Sequence, residues 1–411
     1  MKLPSISLGT AVAAISVGVA FAVVVIGSIS VSMTNQDRVV MGVQSDGTTL
    51  AGMTKNEVHT YFEKSAKGKL THKAAFLTYQ KLSWTITPED ISLQANVDAA
   101  ADAAYQVGRN ASLPVNLFTQ LKCALFGTNI KLTASYDHDQ LTQKLNQIKQ
   151  DVHTDPVNAT AQLQANGTIK KTPAVTGLTL DIEPLQDSLG PQLEALQLTA
   201  KAEVSPEKQE PFITNDDLSA IDSVLAAYTT RFSPGDRGDN IGLAASQLQG
   251  ALIRSQSTLS FNNIVGHRTR SAGYKNAGVI VNGEPAIDVG GGVCQVSSTL
   301  YNAVLLAGMK PTERCNHSLP SSYVPRGRDA TVADDLLDLA FQNPLPHPVY
   351  LRVSNTGSAL TIYVLGTKAD LEGKTITLVT NGSASHPSLY RIWKQNGQVI
   401  DKEFLHTDSY S

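Results

Sequence analysis

Residues 288–308 read DVGGGVCQVSSTLYNAVLLAG, in which three consecutive glycines precede a helix-compatible run. Each glycine loses more backbone entropy on folding than any other residue and buries no side chain, so this position must require a bare backbone. The apolar residues that follow recur on one helical face: Val296, Leu300, Val304 and Ala307. Gly308 then provides a C-terminal stop. The pattern predicts a largely buried helix whose first turn begins at or just after Cys294.

Cys294 would lie under the glycines, at the start of this helix. The unpaired N–H groups and the positive end of the helix dipole stabilise a thiolate there. The position therefore indicates a reactive thiol. The alternative interpretation is an inert cysteine that packs in the helix as a small apolar residue.

Length and composition restrict the class of protein. A chain of 411 residues is long enough for two or three domains. The net charge is −3 and the basic and acidic residues are interleaved, so no basic patch predicts a nucleic-acid partner. The three cysteines, Cys123, Cys294 and Cys315, are too few for a disulfide scaffold or a four-cysteine zinc module. At least one of them must be unpaired within the chain.

The N-terminus predicts a location at the cytoplasmic membrane. Residues 3–36 carry no charge, and residues 11–31 are almost entirely apolar or small. This run matches the roughly 20 residues that cross a bilayer as a helix, and Lys2 would keep the short end in the cytoplasm. A cleaved signal peptide is the alternative, although its apolar region is usually about 7–15 residues. We therefore expect residues 1–36 to form a single-pass anchor that leaves the rest of the chain on the cell-wall side.

The remainder predicts an α+β fold in four parts. Residues 37–204 contain two small α+β repeats, and in the first of them Thr54 and Glu57 have the spacing of a helix capping box. Residues 205–214 are rich in proline and charge, and they predict a linker. Residues 215–370 combine short apolar runs with many glycines, which is typical of strands and loops around a site, and residues 371–411 form a tail of antiparallel strands.

The motifs between Thr229 and Gly366 resemble those of the VanW family. They occur in the same order: Phe261-Asn262, Gly273-Tyr274, residues 290–303, Glu313-Arg314, His317-Ser318, Tyr323-Val324-Pro325, Asp329-Ala330-Thr331 and Phe341-Gln342-Asn343. Two positions depart from the family pattern, since residues 257–260 replace Pro-Gly-Glu-Thr and His267 replaces a proline. The preceding region resembles the peptidoglycan-binding module that family members often carry.

The resemblance implies a role in the bacterial cell envelope. Members of this family are exported or membrane-anchored proteins of Gram-positive envelopes, first named for accessory proteins of glycopeptide (vancomycin) resistance. In some members the domain is assigned as a cysteine L,D-transpeptidase that acts on peptidoglycan. The resemblance therefore implies peptidoglycan stem peptides as partners and a mixed α/β VanW-like domain, and it implies neither a cofactor nor a metal.

The resemblance and the residue types together predict an acyltransferase site. Cys294 would be the nucleophile, His317 its base, and Asp329 the residue that orients the imidazole. Backbone groups in the glycine loop would hold the oxyanion: Gly291, Gly292, Val293 and Gln295. The residues expected to bind substrate are Tyr274, Ser297, Arg314, Ser318 and Arg328. Each of the two arginines could instead form an ion pair inside the fold.

Three other interpretations remain open at this point. Cys294, Cys315 and His317 could supply three ligands to a zinc ion, although their spacing matches no recognised zinc pattern. Cys294 and Cys315 could form a disulfide outside the cytoplasm. Finally, the domain could be a wall-binding or scaffold module in which Cys294 is buried and His317 only holds the structure together.

Overall fold

The computed structural model describes residues 37–411 except 72, 199, 282 and 283. The helices in chain order are α1 (Lys55–Leu70), α2 (Val97–Gln106), α3 (Leu113–Phe126), α4 (His138–Val152), α5 (Glu183–Glu194), α6 (Asn215–Ser219), α7 (Asp236–Gln247), α8 (Phe261–Val265) and α9 (Val293–Leu306). The strands are β1 (Val43–Ser45), β2 (Thr48–Thr49), β3 (Ala75–Tyr79), β4 (Leu82–Ile86), β5 (Gln94–Ala95), β6 (Thr128–Asn129), β7 (Ala134–Ser135), β8 (Thr160–Leu163), β9 (Ile169–Thr172), β10 (Gly177–Thr179), β11 (Ala200–Glu203), β12 (Glu207–Gln209), β13 (Ser223–Arg231), β14 (Leu252–Ile253), β15 (Thr258–Ser260), β16 (Asn276–Val281), β17 (Glu284–Val289), β18 (Lys310–Glu313), β19 (Ala340–Gln342), β20 (Val349–Asn355), β21 (Ala359–Gly366), β22 (Lys374–Gly382), β23 (Pro387–Gln395) and β24 (Gln398–Thr407).

The predicted transmembrane anchor requires a correction. In the part of the chain that the structure describes, no helix is long and apolar enough to cross a bilayer. The predicted segment itself, residues 1–36, lies outside the described residues. The predictions of an N-terminal transmembrane helix, of a single-pass membrane location and of a membrane partner are therefore wrong as stated. The described residues form a mixed α/β fold in which no helix spans a membrane.

One compact unit contains the described residues from Asp37 to Asp155 together with Leu178–Gln209. Its main sheet has the order β11-β3-β4, in which β11 runs parallel and β4 antiparallel to β3. The predicted capping box at the start of α1 is confirmed: Thr54 N–H donates to Glu57 Oε2 at 2.7 Å, and Glu57 N–H donates to Thr54 Oγ1 at 3.3 Å. The core of this unit includes Phe62, Leu77, Ile86, Leu141 and Leu189.

The other compact unit contains Pro156–Gly177 and Glu210–Ser411. Its main sheet has the order β13-β21-β20-β14 and is antiparallel throughout. Helix α9 packs against β13 and β21. The last three strands form a separate antiparallel sheet in the order β22-β23-β24.

Helix α9 lies at the centre of this second unit. Every residue from Val293 to Leu305 is buried except Cys294, which is partly exposed. Burial of nearly the whole helix surface explains why its sequence carries no charged residue on any side. Cys294 in the first turn and Leu306 at the end are the residues at which this helix is partly exposed.

The glycines before α9 allow a close approach of backbone to backbone. A Cβ atom at Gly291 would lie 2.6 Å from the carbonyl carbon of Ala277 and 2.7 Å from the carbonyl oxygen of Gly278, both on β16. Gly292 has φ 108°, a left-handed conformation that favours glycine. The buried Asn240 side chain fixes the same loop, because its amide donates to the Gly291 carbonyl oxygen at 3.0 Å.

Replacement of Gly291 by alanine should destabilise this unit. The new methyl group would press on backbone atoms, which cannot move aside as a side chain can, so we expect Gly291→Ala to lower the free energy of unfolding by about 1–3 kcal/mol. Gly278→Ala is the matched control, because nothing lies within 4 Å of a Cβ added there. Chemical denaturation of both variants tests this, and equal losses of stability would contradict the packing argument.

Candidate functional site

Cys294 occupies the first turn of α9, and its thiol faces the loops that follow β18. Sγ donates to the carbonyl oxygen of Val332 at 3.4 Å. Burial by itself would raise the pKa of the thiol, but a hydrogen bond from His317 and the positive charge of that ring outweigh burial, so the pKa is lowered. Arg268 acts in the same direction. These contacts favour the thiolate, which is the nucleophilic form of cysteine.

His317 lies in the loop after β18 and is held from two sides by one carboxylate oxygen. Its backbone N–H donates to Asp329 Oδ2 at 2.7 Å, and its Nδ1 lies 2.6 Å from the same oxygen. Because Nδ1 is occupied, Nε2 is the ring nitrogen left to interact with the Cys294 thiol. Burial lowers the pKa of His317, but the hydrogen bonds to Asp329 and Cys294 raise it to about 9. At neutral pH His317 is therefore an imidazolium ion, and its charge favours the thiolate form of Cys294.

Asp329 is a buried carboxylate, 1% exposed, and it accepts hydrogen bonds through both oxygens. While Oδ2 accepts from His317, Oδ1 accepts from the hydroxyl of Tyr410 and from Arg314 Nη2 at 3.3 Å. Burial would raise the pKa of this carboxyl, but these donors lower it. Asp329 therefore stays ionised, as a residue must if it is to orient a neighbouring imidazolium.

Residues 408–411 complete this network from the end of the β24 sheet. The carboxylate of Asp408, itself buried, accepts from both terminal nitrogens of Arg314, with Nη2 to Oδ2 at 2.7 Å. The Tyr410 hydroxyl accepts from the Gly327 N–H at 2.9 Å. Ser411 N–H donates to the carbonyl oxygen of Ser318 at 2.9 Å. These bonds fix the loop that carries His317 to the C-terminal strands.

A cleft of about 470 Å³ opens beside the cysteine–histidine pair. Its wall includes Gln295, His317, Tyr323, Arg231 and Arg237. Arg237 Nη1 donates to Gln295 Oε1 at 2.8 Å, and its guanidinium carbon lies 5.8 Å from the centre of the Tyr323 ring. The Tyr323 ring in turn meets His317 edge-on at 6.5 Å. Burial and the negative charge of Cys294 raise the pKa of Tyr323, so its hydroxyl remains a donor.

The structure brings the three residues predicted to be catalytic into one connected group, Cys294, His317 and Asp329. In the predicted oxyanion loop, Val293 N–H donates to the Gly290 carbonyl oxygen at 3.1 Å and Gln295 N–H to that of Gly292 at 3.0 Å. These two N–H groups are therefore engaged. No acceptor is recorded for Cys294 N–H within the described chain.

Most residues predicted to bind substrate make their contacts inside the fold. Ser297 donates to the Ala330 carbonyl oxygen at 2.6 Å and Tyr274 is buried. Arg314 is paired with Asp408, and Arg328 Nη2 donates to the carbonyl oxygen of Leu378. Ser318 is exposed, with its carbonyl oxygen bonded to Ser411. Arg314 therefore forms the internal ion pair that the sequence had left as its alternative, whereas Arg328 is bonded to a backbone carbonyl oxygen and has no ion pair among the residues that the structure describes.

The geometry also identifies residues that the sequence did not indicate. Tyr323 was not predicted as a site residue, although it begins the family motif Tyr323-Val324-Pro325, and that motif could have indicated it. Arg237 lies in the first turn of α7, in a polar stretch that matches no motif. Tyr410 lies 81 residues along the chain from Asp329, whose carboxylate it contacts. No local pattern could have connected Tyr410 with Asp329.

Neither the zinc site nor the Cys294–Cys315 disulfide that the sequence left open is found in the part of the chain that the structure describes. All three cysteines are free thiols, and Cys315 Sγ donates to the adjacent Asn316 carbonyl oxygen at 3.5 Å. Among the residues that the structure describes, no three His, Cys, Asp or Glu side chains converge as they would around a metal ion.

Comparison with known proteins identifies the family. The family described as "VanW like protein" matches residues 236–365, and the family described as "Putative peptidoglycan binding domain" matches residues 84–199. The uncharacterized protein YoaR of Bacillus subtilis is 35% identical over 233 residues, which cover 56% of this chain and 75% of YoaR. The chain belongs to the VanW family.

The vancomycin B-type resistance protein VanW of Enterococcus faecalis is 26% identical over 227 residues, covering 50% of this chain and 80% of that protein. No solved structure matches. The VanW-like domain at residues 236–365 contains Cys294, His317 and Asp329, whereas Asp408 and Tyr410 follow it. The predicted family and the order of its two domains are therefore confirmed.

Within the VanW-like domain, removing the Asp329 charge should make Cys294 less reactive. In Asp329→Asn the pKa of His317 should fall toward its ordinary 6.5, and that of Cys294 should rise toward about 8.5. Alkylation of Cys294 by iodoacetamide at neutral pH should therefore slow about tenfold, and in the wild type it should be faster than alkylation of the buried Cys123.

Asp370→Asn is a matched control for that experiment. Asp370 contacts His347 in the same way, with Oδ1 2.8 Å from Nδ1 and Oδ2 accepting from the backbone N–H at 3.2 Å. This pair is outside the site, so its loss should leave the alkylation rate of Cys294 unchanged. If Asp329→Asn also left that rate unchanged, Asp329 would not govern the thiol.

Loss of the Tyr410 hydroxyl should destabilise the protein in a pH-dependent way. Because the pKa of Asp329 lies below 3.8 in the folded state, its pairing stabilises the fold at neutral pH, and this stabilisation is lost as the pH falls through the folded value. Tyr410→Phe should lower the free energy of unfolding by about 1.5–3 kcal/mol at neutral pH, and by less in acid.

Tyr61→Phe is the control, because it removes a hydroxyl that donates to a neutral acceptor, the Ser45 carbonyl oxygen at 3.2 Å. Its effect should be smaller, about 0.5–1.5 kcal/mol, and nearly independent of pH below neutrality. Denaturation curves across the acid range measure both variants. A loss in Tyr410→Phe that does not shrink in acid would argue against a bond to ionised Asp329.

Proposed function

We propose that this protein is a cell-wall acyltransferase that uses Cys294 to transfer the acyl group of a peptidoglycan stem peptide, as an L,D-transpeptidase does. The observation that carries the proposal is the chain of contacts from Cys294 to His317 to Asp329 at the edge of a polar cleft. A nucleophile, a base and a residue that orients the base are the components that covalent acyl transfer requires.

In the first half of the reaction the Cys294 thiolate attacks the carbonyl carbon of the bond to be cleaved. The S–C bond forms, and the C–N bond breaks when the His317 imidazolium gives its proton to the departing amine. The products are a thioester on Cys294, a free amino acid and a neutral imidazole. Asp329 keeps the ring in place through both steps because it holds Nδ1 at 2.6 Å.

In the second half an acceptor amine attacks the thioester. Neutral His317 takes the proton from the amine, the new C–N bond forms, and Cys294 leaves as the thiolate. Attack by water in place of the amine would release the shortened peptide instead. The two outcomes, crosslinking and trimming, share the same thioester intermediate.

The oxyanion of the tetrahedral intermediate needs donors close to Sγ. Cys294 N–H is one candidate, because the neighbouring N–H groups of Val293 and Gln295 already donate to backbone carbonyls. The hydroxyl of Tyr323 is a second, since the pKa of this phenol is raised and a charge on Cys294 contributes to the rise. Bare glycine backbone at this loop would leave room for the substrate carbonyl group.

The peptidoglycan-binding family match at residues 84–199 supports cell-wall peptidoglycan as the substrate. The same match favours a second candidate, a non-enzymatic peptidoglycan-binding or envelope scaffold protein associated with glycopeptide resistance, as the name of the Enterococcus faecalis relative suggests. The two candidates differ in one respect: only the acyltransferase makes a covalent bond to substrate.

An acyl adduct on Cys294 is the expected signature of the acyltransferase. Incubation of the purified protein with a tetrapeptide-stem muropeptide should add the mass of the muropeptide without its terminal D-alanine, because a thioester replaces that amide bond. Mass spectrometry of intact protein and of its peptides locates the adduct.

Cys294→Ser should abolish the adduct, since a serine hydroxyl beside the same imidazole is far harder to ionise than a thiol. Cys315→Ser is the control, and it should form the adduct as the wild type does. Binding of the muropeptide by a reduced, folded protein that forms no adduct would favour the scaffold candidate and reject the enzyme.

A further inference from the structure

The cleft beside Cys294 is lined by positive charge. Arg231, at the end of β13, and Arg237, in the first turn of α7, both contribute to its wall, as does the imidazolium of His317. None of the residues that line the cleft is an aspartate or a glutamate. Because Arg231 and Arg237 have no carboxylate in the wall of the cleft, whereas His317 is paired with Asp329, the two arginines make the cleft suited to an anionic ligand.

Arg237 differs from three other arginines of the same unit, each of which is paired with a carboxylate. Arg268 is paired with Asp334, Arg314 with Asp408 and Arg391 with Glu403. By contrast, no ion pair of Arg231 or Arg237 is found among the residues that the structure describes. The recorded side-chain contacts of Arg237 are one hydrogen bond to Gln295 and the face of Tyr323.

These contacts orient the guanidinium group of Arg237 without neutralising it. One terminal nitrogen is bound to a neutral amide oxygen, and the plane of the group is restrained against an aromatic ring, so the remaining N–H groups are preorganised. Gln295 follows Cys294 directly in α9. Through Gln295, the charge of Arg237 is thus held in the wall of the cleft that His317 also lines.

We infer that this arginine cleft, Arg231 and Arg237, binds the free C-terminal carboxylate of the peptide that Cys294 attacks. The inference rests on the proposed function, and it specifies the substrate class. A guanidinium group can hold a carboxylate through two parallel hydrogen bonds, which fixes the orientation of the ligand as well as its charge.

The position of the cleft also selects which bond is cleaved. In a peptide whose last amide bond meets Cys294, the terminal carboxylate lies one residue beyond the attacked carbonyl carbon, and that residue departs as the free amino acid. A cleft that binds this carboxylate therefore favours exchange or removal of the last residue over cleavage within a longer peptide. The reaction that supplies the substrate must accordingly expose a free carboxyl terminus on the stem.

Binding can be measured without turnover in the Cys294→Ala protein. The two probes are a tetrapeptide stem with a free terminal carboxylate and the same peptide with a terminal amide, which differ at that group alone. Calorimetric titration of the full chain should give a dissociation constant about 10- to 100-fold lower for the carboxylate, the range expected for a hydrogen-bonded ion pair.

Arg237→Gln in the same background should remove this preference by weakening the carboxylate ligand and leaving the amide ligand nearly unchanged. Arg237→Lys should restore part of it, because charge returns without the forked geometry. Arg352→Gln is the matched control: Arg352 also donates to a glutamine side chain, Gln249 Oε1 at 2.7 Å, but outside the cleft, and it should keep the full preference.

Equal affinity of the Cys294→Ala protein for the two probes would overturn the inference, as would a preference that survives Arg237→Gln. A fall in affinity of Arg237→Gln for both probes alike would also overturn it, since that would indicate a structural role for Arg237. The proposed function fails separately: a carboxylate preference that depends on Arg237, together with no acyl adduct on Cys294 in the wild type, would leave a peptide-binding site and reject the enzyme.

Discussion

The buried carboxylate of Asp329 is the constraint on which the rest of the site depends. An ionised carboxylate removed from water loses several kcal/mol of solvation unless donors surround it. In this structure the donors come from two separate stretches of chain: residues 314–317, which supply the guanidinium group of Arg314 and the backbone and ring of His317, and the C-terminal residues, which supply the hydroxyl of Tyr410. Satisfying this one charge therefore fixes the catalytic loop, its supporting arginine and the C-terminal residues in relation to each other.

The second constraint is the burial of helix α9. Because every residue of the helix except Cys294 and the terminal Leu306 is buried, the helix cannot shift to adjust the thiol, and the surrounding loops must be built to meet it. The glycine loop allows such a close approach to the start of the helix. At Gly291 the backbone of β16 lies so near that any side chain would collide with it. Cys294 is thus held on a rigid element while His317 is held by Asp329, which is the preorganisation that the proposed acyl transfer would need.

Local pattern predicted part of this arrangement and could not predict the rest. The glycines, the helix and Cys294 stand in one continuous stretch, so their relation is readable from sequence, and family motifs supplied His317 and Asp329. Which arginine faces substrate depends on tertiary contacts: Arg314 carries a family motif yet lies in an ion pair, whereas Arg237 carries no motif and lies in the cleft. The role of Tyr410 depends on a contact between distant strands. The anchor prediction relied on hydropathy alone and on residues outside the described chain.

The central claim is that Cys294 and His317 form a thiolate–imidazolium pair in the folded protein. The ultraviolet absorbance of the thiolate, taken as the difference between the wild type and Cys294→Ala during a pH titration, measures this pair directly. The account predicts a thiolate signal already present at neutral pH, with an apparent pKa below the value of about 8.5 of an ordinary thiol. A thiolate that appears only at or above that value would contradict it.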